Sequence, residues 1–145
     1  MPVAGTSPTA SKPTRLTRAL LLEELERVTQ AIGVYALAKR MEARLGRRVS
    51  ANSVYRILAA LEGSDEALRI ETAKAWICAR GDAGPALRLV CSRCTSILSL
   101  AAPEITGGLS RLAARAAYRP TRLVLEVIGL CDRCTAEPSA DAAPA

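Results

Sequence analysis

Two Cys-x-x-Cys pairs, "CSRC" at Cys91 and Cys94 and "CDRC" at Cys131 and Cys134, constrain this chain more than any other feature, and the sequence around them contains no histidine. A Cys-x-x-Cys turn lets two thiolates reach one ion, and two such turns complete the tetrahedral four-sulfur site that holds structural zinc. Each pair follows an apolar, strand-like run, "ALRLVC" and "TRLVLEVIGLC". The ion therefore clamps two strand ends and adds binding free energy to a unit with a small core. Four sulfur ligands leave no open position, so the expected cofactor is one structural zinc per chain. The competing reading is a dithiol redox pair. Against it, a redox Cys-x-x-Cys opens a helix, whereas "CSRCTSILSL" runs on into another apolar strand.

The chain of 145 residues is long enough for one compact domain, or for two small ones that lean on each other or on a second subunit. Half of its residues are hydrophobic but only 3% are aromatic and none is Phe, so the core must be built of Leu, Ala, Val and Ile. A formal charge of +6 points to an anionic partner, with nucleic acid ahead of a merely solvated basic surface. No apolar run approaches ~18 residues, so no spanning helix is expected. The opening "MPVAGTSPTASKPT" has no apolar core of a secretory signal, and a cytoplasmic location is expected. Without His, and with no nucleophile beside a base at motif spacing, the chain is not expected to be an enzyme or to hold a small-molecule substrate.

Residues 1–14 and 137–145 are rich in Pro, Ser, Thr and Ala and are read as a flexible arm and a disordered tail. Between them "LTRALLLEELERV" puts Leu21, Leu25 and Val28 on one helical face behind Thr17 as N-cap. In "VYALAKRMEARLG", Val34, Leu37, Ala38, Met41 and Leu45 share a face, and Gly46 is placed to end the helix. The basic turn "RRV" leads to Ser50, the cap of a third helix, "ANSVYRILAALE", which is helix-turn-helix spacing. "ALRIETAKAWICAR" then reads as a β-hairpin, the wing of a winged helix, and "GDAGP" as a hinge. Two or three strands and one helix follow. The expected fold class is α+β: a winged helix-turn-helix domain over residues 15–80, then a small α/β dimerisation domain with the four-cysteine zinc site over residues 81–136. So small a second unit favours a homodimer.

In the third helix Val54, Ile57, Leu58 and Leu61 share the inward face, which turns Asn52, Tyr55, Arg56 and Ala59 outward. Arg can bond guanine O6 and N7, Asn can bond adenine, and Tyr can meet a phosphate or a thymine methyl. With Arg47 and Arg48 in the adjoining turn, these residues form a candidate surface for a double-stranded DNA operator. The plainer reading is that Tyr55 and Arg56 solubilise a bundle surface.

The succession "LTRALLLEELE", "VSANSVYRILAALE", "LRIETAKAWIC", "LRLVCSRCTSIL" and "YRPTRLVLEVIGLCDRC" resembles the ferric uptake regulator (Fur) family, most closely its zinc-responsive branch, over roughly residues 15 to 135. The resemblance implies a cytosolic, dimeric transcription regulator, usually a repressor, with DNA contacts at Tyr55 and Arg56 and structural zinc on the four cysteines. It also places Arg18 near the phosphate backbone. The family senses metal at a second, hinge-region site built from His, Glu and often Cys. The matching stretches here, "EALRIE" and "GDAGPALRLVC", hold no His, and Ser99 stands where a Glu ligand is expected. Cys78 matches the position of the sensing Cys without its partners. Glu71, Asp82 and Glu104 could approach it, but one thiolate with carboxylates selects zinc or ferrous iron poorly. The expectation is a regulator with structural zinc and a degenerate sensing site, Cys78 being a small buried hydrophobe or, alternatively, a redox thiol. Its rivals are a zinc-responsive repressor of zinc uptake genes that uses Cys78, a zinc-dependent interaction module, and a thiol redox protein.

Overall fold

In the computed structural model, which describes residues 15–79 and 84–137, Thr17 accepts a hydrogen bond from the Leu20 amide at 3.3 Å and opens α1 (Arg18–Arg27). The predicted arm over residues 1–14, the tail from residue 138 onward and Asp82 lie outside the described residues. Helix α2 (Val34–Leu45) stops at Gly46, whose φ of 68° is the left-handed conformation that costs an L side chain about 1 kcal/mol or more. Ser50 accepts from the Ser53 amide at 3.2 Å and starts α3 (Ala51–Gly63). Between α2 and α3 the Glu42 carboxylate accepts from the Val49 amide at 3.0 Å and pins the turn that carries Arg47 and Arg48.

The apolar stripes of the three helices meet in one core of Leu21, Leu25, Leu37, Met41, Leu58 and Leu61, all fully buried. Each such side chain contributes roughly 1.5–3 kcal/mol by leaving water. A single Leu58→Ala change would cost about 2–5 kcal/mol, because the cavity adds to the lost transfer energy. Outside this core, Glu23 and Glu24 of α1 pair with Arg44 of α2 at 2.7 and 3.6 Å, which aligns the two helices. The Arg44 guanidinium holds the Glu23 carboxyl below its ordinary range.

Strands β1 (Ala67–Ile70) and β2 (Ala75–Cys78) pair antiparallel, with Arg69 opposite Trp76. One face of this hairpin, with Ala67, Trp76 and Cys78, closes the helical core. The other face is covered as well, since Ile70 and Ala75 are buried. The predicted hairpin is present, and Ile32 extends it by bonding the Trp76 backbone in both directions, at 3.0 and 2.9 Å.

That sheet has the order β4-β3-β5. Strand β3 (Ala86–Cys91) pairs antiparallel with β4 (Ile97–Ala101) and parallel with β5 (Leu125–Gly129). The parallel crossover contains α4 (Pro103–Arg115), and a one-turn helix, α5 (Asp132–Ala136), follows β5. Residues of one sheet face, Leu98, Leu100 and Val127, remain exposed, as do Ile105, Leu109 and Leu112 of α4. Helix α4 buries only Thr106 within the chain. A large apolar surface on the second half of the molecule is therefore uncovered in one copy. Among the described residues no helix is long and apolar enough to cross a membrane.

Candidate metal centre and nucleic-acid surface

Parallel pairing builds the metal centre. The register sets Cys91, the last residue of β3, beside Gly129, the last residue of β5, so both Cys-x-x-Cys turns emerge at the same end of the sheet. Ser92 donates from its amide to the Gly129 carbonyl at 2.8 Å and welds the first turn to the second strand. The Cys131 amide points at Cys91 Sγ, 3.4 Å away. Cys131 is then the N-cap of α5, which carries Cys134 inward; this helix was not legible in "CDRCTA" because it is only one turn long.

The four sulfurs of Cys91, Cys94, Cys131 and Cys134 all lie within 4.8 Å of one another, and Cys94 Sγ is 3.7 Å from Cys131 Sγ. A tetrahedron of Zn–S bonds near ~2.3 Å has sulfur–sulfur edges of about 3.8 Å, so the spacing fits one ion. The protonation of the cluster supports the same fit. Hydrogen bonding to the Ser96 hydroxyl and then its backbone holds the Cys94 thiol down to about 5, while burial and then its sulfur neighbours push Cys134 up to about 12. Without a cation the four groups cannot all be thiolates; a divalent ion resolves the conflict. Cys91 and Cys134 are buried and all four ligands come from the chain, so the site is closed and structural.

The turn between the first pair and β4 is strained. Thr95 has a φ of 56°, a left-handed value unusual for a β-branched residue. It is held there by its surroundings: the Ala31 amide donates to the Thr95 carbonyl at 3.1 Å, and Gln30 bridges to Ser96. The metal turn thus touches the segment joining α1 to α2.

Cys78 stands apart. It is half-buried and packs against the helical core, beside a cleft of about 260 Å³ lined by Val28, Thr29, Leu68, Ile77 and Ser99. The four-cysteine cluster is the one grouping of three or more Cys, Asp, Glu or His ligands close enough for a metal among the described residues, and Cys78 is outside it. Glu71 is turned to Arg69 and Arg122, at 3.3 and 3.6 Å. Glu104 lies exposed in the first turn of α4.

Along α3, Val54, Leu58 and Leu61 are buried and Ile57 is half-buried, which leaves Asn52, Tyr55, Arg56 and Ala59 exposed. Arg47 and Arg48 are exposed in the turn just before it. Tyr55 is not free on this face, since its ring meets Trp76 edge-on with centroids 5.6 Å apart and an interplanar angle of 85°. Arg69 lies over the same indole at 5.3 Å. Arg18 is placed elsewhere. It pairs with Glu66 and with Ser64, the C-cap of α3, about 20 Å along that helix from Ser50 by its rise per residue. The Arg18 guanidinium and then Ser64 hold the Glu66 carboxyl below its ordinary range.

No protein-family model and no curated protein matches the sequence. Solved structures do. A holo XcZur crystal structure superposes with a TM-score of 0.70 at 25% identity, covering 83% of this chain and 84% of that one. A zinc uptake regulator complexed with zinc and DNA gives a TM-score of 0.76 at 23% identity, covering 84% of each chain. The chain has the fold of the ferric and zinc uptake regulators. The Helicobacter pylori ferric uptake regulator, whose structure reveals three functional metal binding sites, is similar at a TM-score of 0.60 and 21% identity over 85% of this chain and 81% of that one. The four sulfurs sit at the end of the paired strands β3 and β5.

Two charged residues of this region escaped the sequence reading. Arg88 and Glu126 stand in the middle of apolar strand runs, "ALRLVC" and "LVLEVIG", and the parallel register makes them partners. A charge interrupting an apolar strand was the available signal, but only the pairing shows what each faces.

Proposed function

We propose that this chain is a DNA-binding transcription regulator of the ferric uptake regulator type, most similar to the zinc-responsive branch, and not an enzyme. The observation that carries the reading is the convergence of a closed four-thiolate centre with an exposed α3 face, Asn52, Tyr55 and Arg56, on a fold shared with a regulator solved in complex with zinc and DNA. The domain boundaries fall at residues 15–80 for the winged helix and 81–136 for the dimerisation unit. Zinc on Cys91, Cys94, Cys131 and Cys134 supplies cross-linking binding energy, on the order of 10 kcal/mol for such sites, to a sheet with few buried side chains. Two copies cover the apolar faces of the sheet and α4, and the homodimer presents two recognition helices to a double-stranded operator.

At the DNA, Arg56 and Asn52 read base edges, while Arg47 and Arg48 neutralise phosphates. Tyr55 keeps its hydroxyl for the backbone while Trp76 fixes its ring. Arg18 reaches a phosphate only by exchanging Glu66 for it, which makes its contribution the smallest of the six. The protein works in the cytoplasm and acts as a repressor, by occupying promoter DNA. Its hinge metal site is degenerate, since the sequence supplies no His beside Cys78 and has Ser99 where a Glu ligand is expected. Genome-wide mapping of binding sites with and without zinc starvation tests the reading: discrete sites occupied under both conditions are expected, and a zinc-loaded dimer that selects no DNA sequence would refute it.

A further inference from the structure

The junction between hairpin and sheet is tied by charge in a way that no metal explains. Glu126, on β5, accepts from the Glu71 amide at 2.8 Å on one carboxylate oxygen. Its other oxygen accepts from the Thr72 amide at 2.9 Å and the Thr72 hydroxyl at 2.6 Å. All three donors belong to the turn between β1 and β2, so one carboxylate holds the whole turn. Beside it, its register partner Arg88 is only 8% exposed, and Arg88 Nε has no hydrogen-bond partner among the described residues. A buried guanidinium keeps the neighbouring carboxylate ionised, and ionised acceptors bind amides about twice as strongly as neutral ones. A few positions earlier in the chain, Arg122 reaches Glu62 near the end of α3 at 3.4 Å and Glu71 at 3.6 Å. The segment of Arg122 and Glu126 therefore grips the hairpin turn and the last turns of α3 together.

We infer that Glu126, supported by Arg88 and Arg122, is the positioning residue that fixes the hairpin and α3 against the sheet, a metal-free lock that sets the arrangement of the DNA-binding surface. The consequence for DNA rests on the function proposed above; the lock itself does not. A carboxylate with three donors from one turn leaves that turn a single orientation, and its charge does not vary with metal supply. The hairpin in turn carries Trp76, against which Tyr55 is set, so loosening the turn loosens the α3 face.

The test uses the full-length, zinc-loaded protein with Glu126→Gln, which keeps the shape but loses the charge, and Thr72→Val, which removes one donor. Glu26→Gln, the same change at an exposed position of α1, is the control. Amide exchange at Glu71 and Thr72, zinc content, oligomeric state and affinity for a selected DNA fragment are measured together. In Glu126→Gln the two amides should exchange roughly tenfold faster or more, with zinc and oligomeric state unchanged. DNA affinity should fall by roughly fivefold or more, Thr72→Val should fall between this variant and wild type, and the control should match wild type. Unchanged exchange at the turn in Glu126→Gln overturns the lock. Faster exchange with unchanged DNA affinity overturns its positioning role. If wild type selects no DNA, the proposed function fails by itself, and the exchange data still decide the lock.

Discussion

Cys94 Sγ lies 3.7 Å from Cys131 Sγ although 37 positions separate the two residues in the chain. The β3–β5 pairing brings them together, with the Ser92 amide on the Gly129 carbonyl and the Arg93 guanidinium donating to the Cys134 and Glu137 carbonyls, and both sulfurs would share one ion. The first prediction follows directly. Purified protein should contain about one zinc per chain, and Cys94→Ser or Cys131→Ser should abolish both the metal and the sheet, because the closed site needs all four sulfurs. Elemental analysis with circular dichroism measures this; a metal-free protein with an intact sheet and five titratable thiols would contradict it.

The second prediction separates reading from anchoring. Arg56→Ala should weaken binding to a selected operator by about 1–3 kcal/mol and relax sequence choice, whereas Arg48→Ala should weaken all DNA alike and flatten the salt dependence. Arg18→Ala should do less than either, since its guanidinium is already spent on Glu66. Titrations of matched and mismatched duplexes at several salt concentrations distinguish the three patterns, and equal affinities for wild type and Arg56→Ala would show the face to be merely solvated.

A third concerns metal response. A ligand shifts a conformational equilibrium only through a difference in affinity between states. With the structural site filled, added zinc or ferrous iron should leave operator affinity unchanged. A tenfold gain corresponds to ~1.4 kcal/mol of coupling. Such a gain in wild type, absent in Cys78→Ser, would establish a sensor site at Cys78.

The fourth is a pH dependence. Burial is the largest influence on the Glu126 carboxyl and raises it, but the Thr72 and Glu71 hydrogen bonds and the Arg88 charge together outweigh burial and hold it below its ordinary range. A group depressed on folding contributes stability that is complete above its unfolded pKa, about 4.3 for Glu, and is lost as pH falls through the folded value. Glu23 and Glu66 are depressed as well, so the thermal midpoint should decline on acidification below that point. Glu126→Gln should decline less steeply than wild type; acid loss of zinc is common to both and drops out of the comparison. Parallel melting curves of the two proteins from pH 7 to 3 would expose an error as identical slopes.

The first three helices were legible because each is announced by local chemistry: Thr17 and Ser50 cap, Gly46 stops, and the apolar stripes of α2 and α3 repeat at helical spacing. The cysteine centre was legible from ligand type and spacing alone. What the sequence hid depends on pairing across distance. Nothing local in "LVLEVIG" says that Glu126 reaches Thr72, in "LTRA" that Arg18 meets Glu66, or in "SVYRIL" that Tyr55 leans on Trp76. The short α5 was hidden for the opposite reason, since a single turn has no period to detect.

Because β3 and β5 run parallel and end side by side, neither Cys-x-x-Cys turn can complete the site until synthesis has passed Cys134. The three helices and the hairpin share a core of earlier residues, and such local contacts form faster than distant strand pairings. Cys91 and Cys94 alone supply only two of the four sulfurs. Sheet and metal site are thereby completed by one event: without β5, β3 loses its parallel partner and the site loses two of its four sulfurs together.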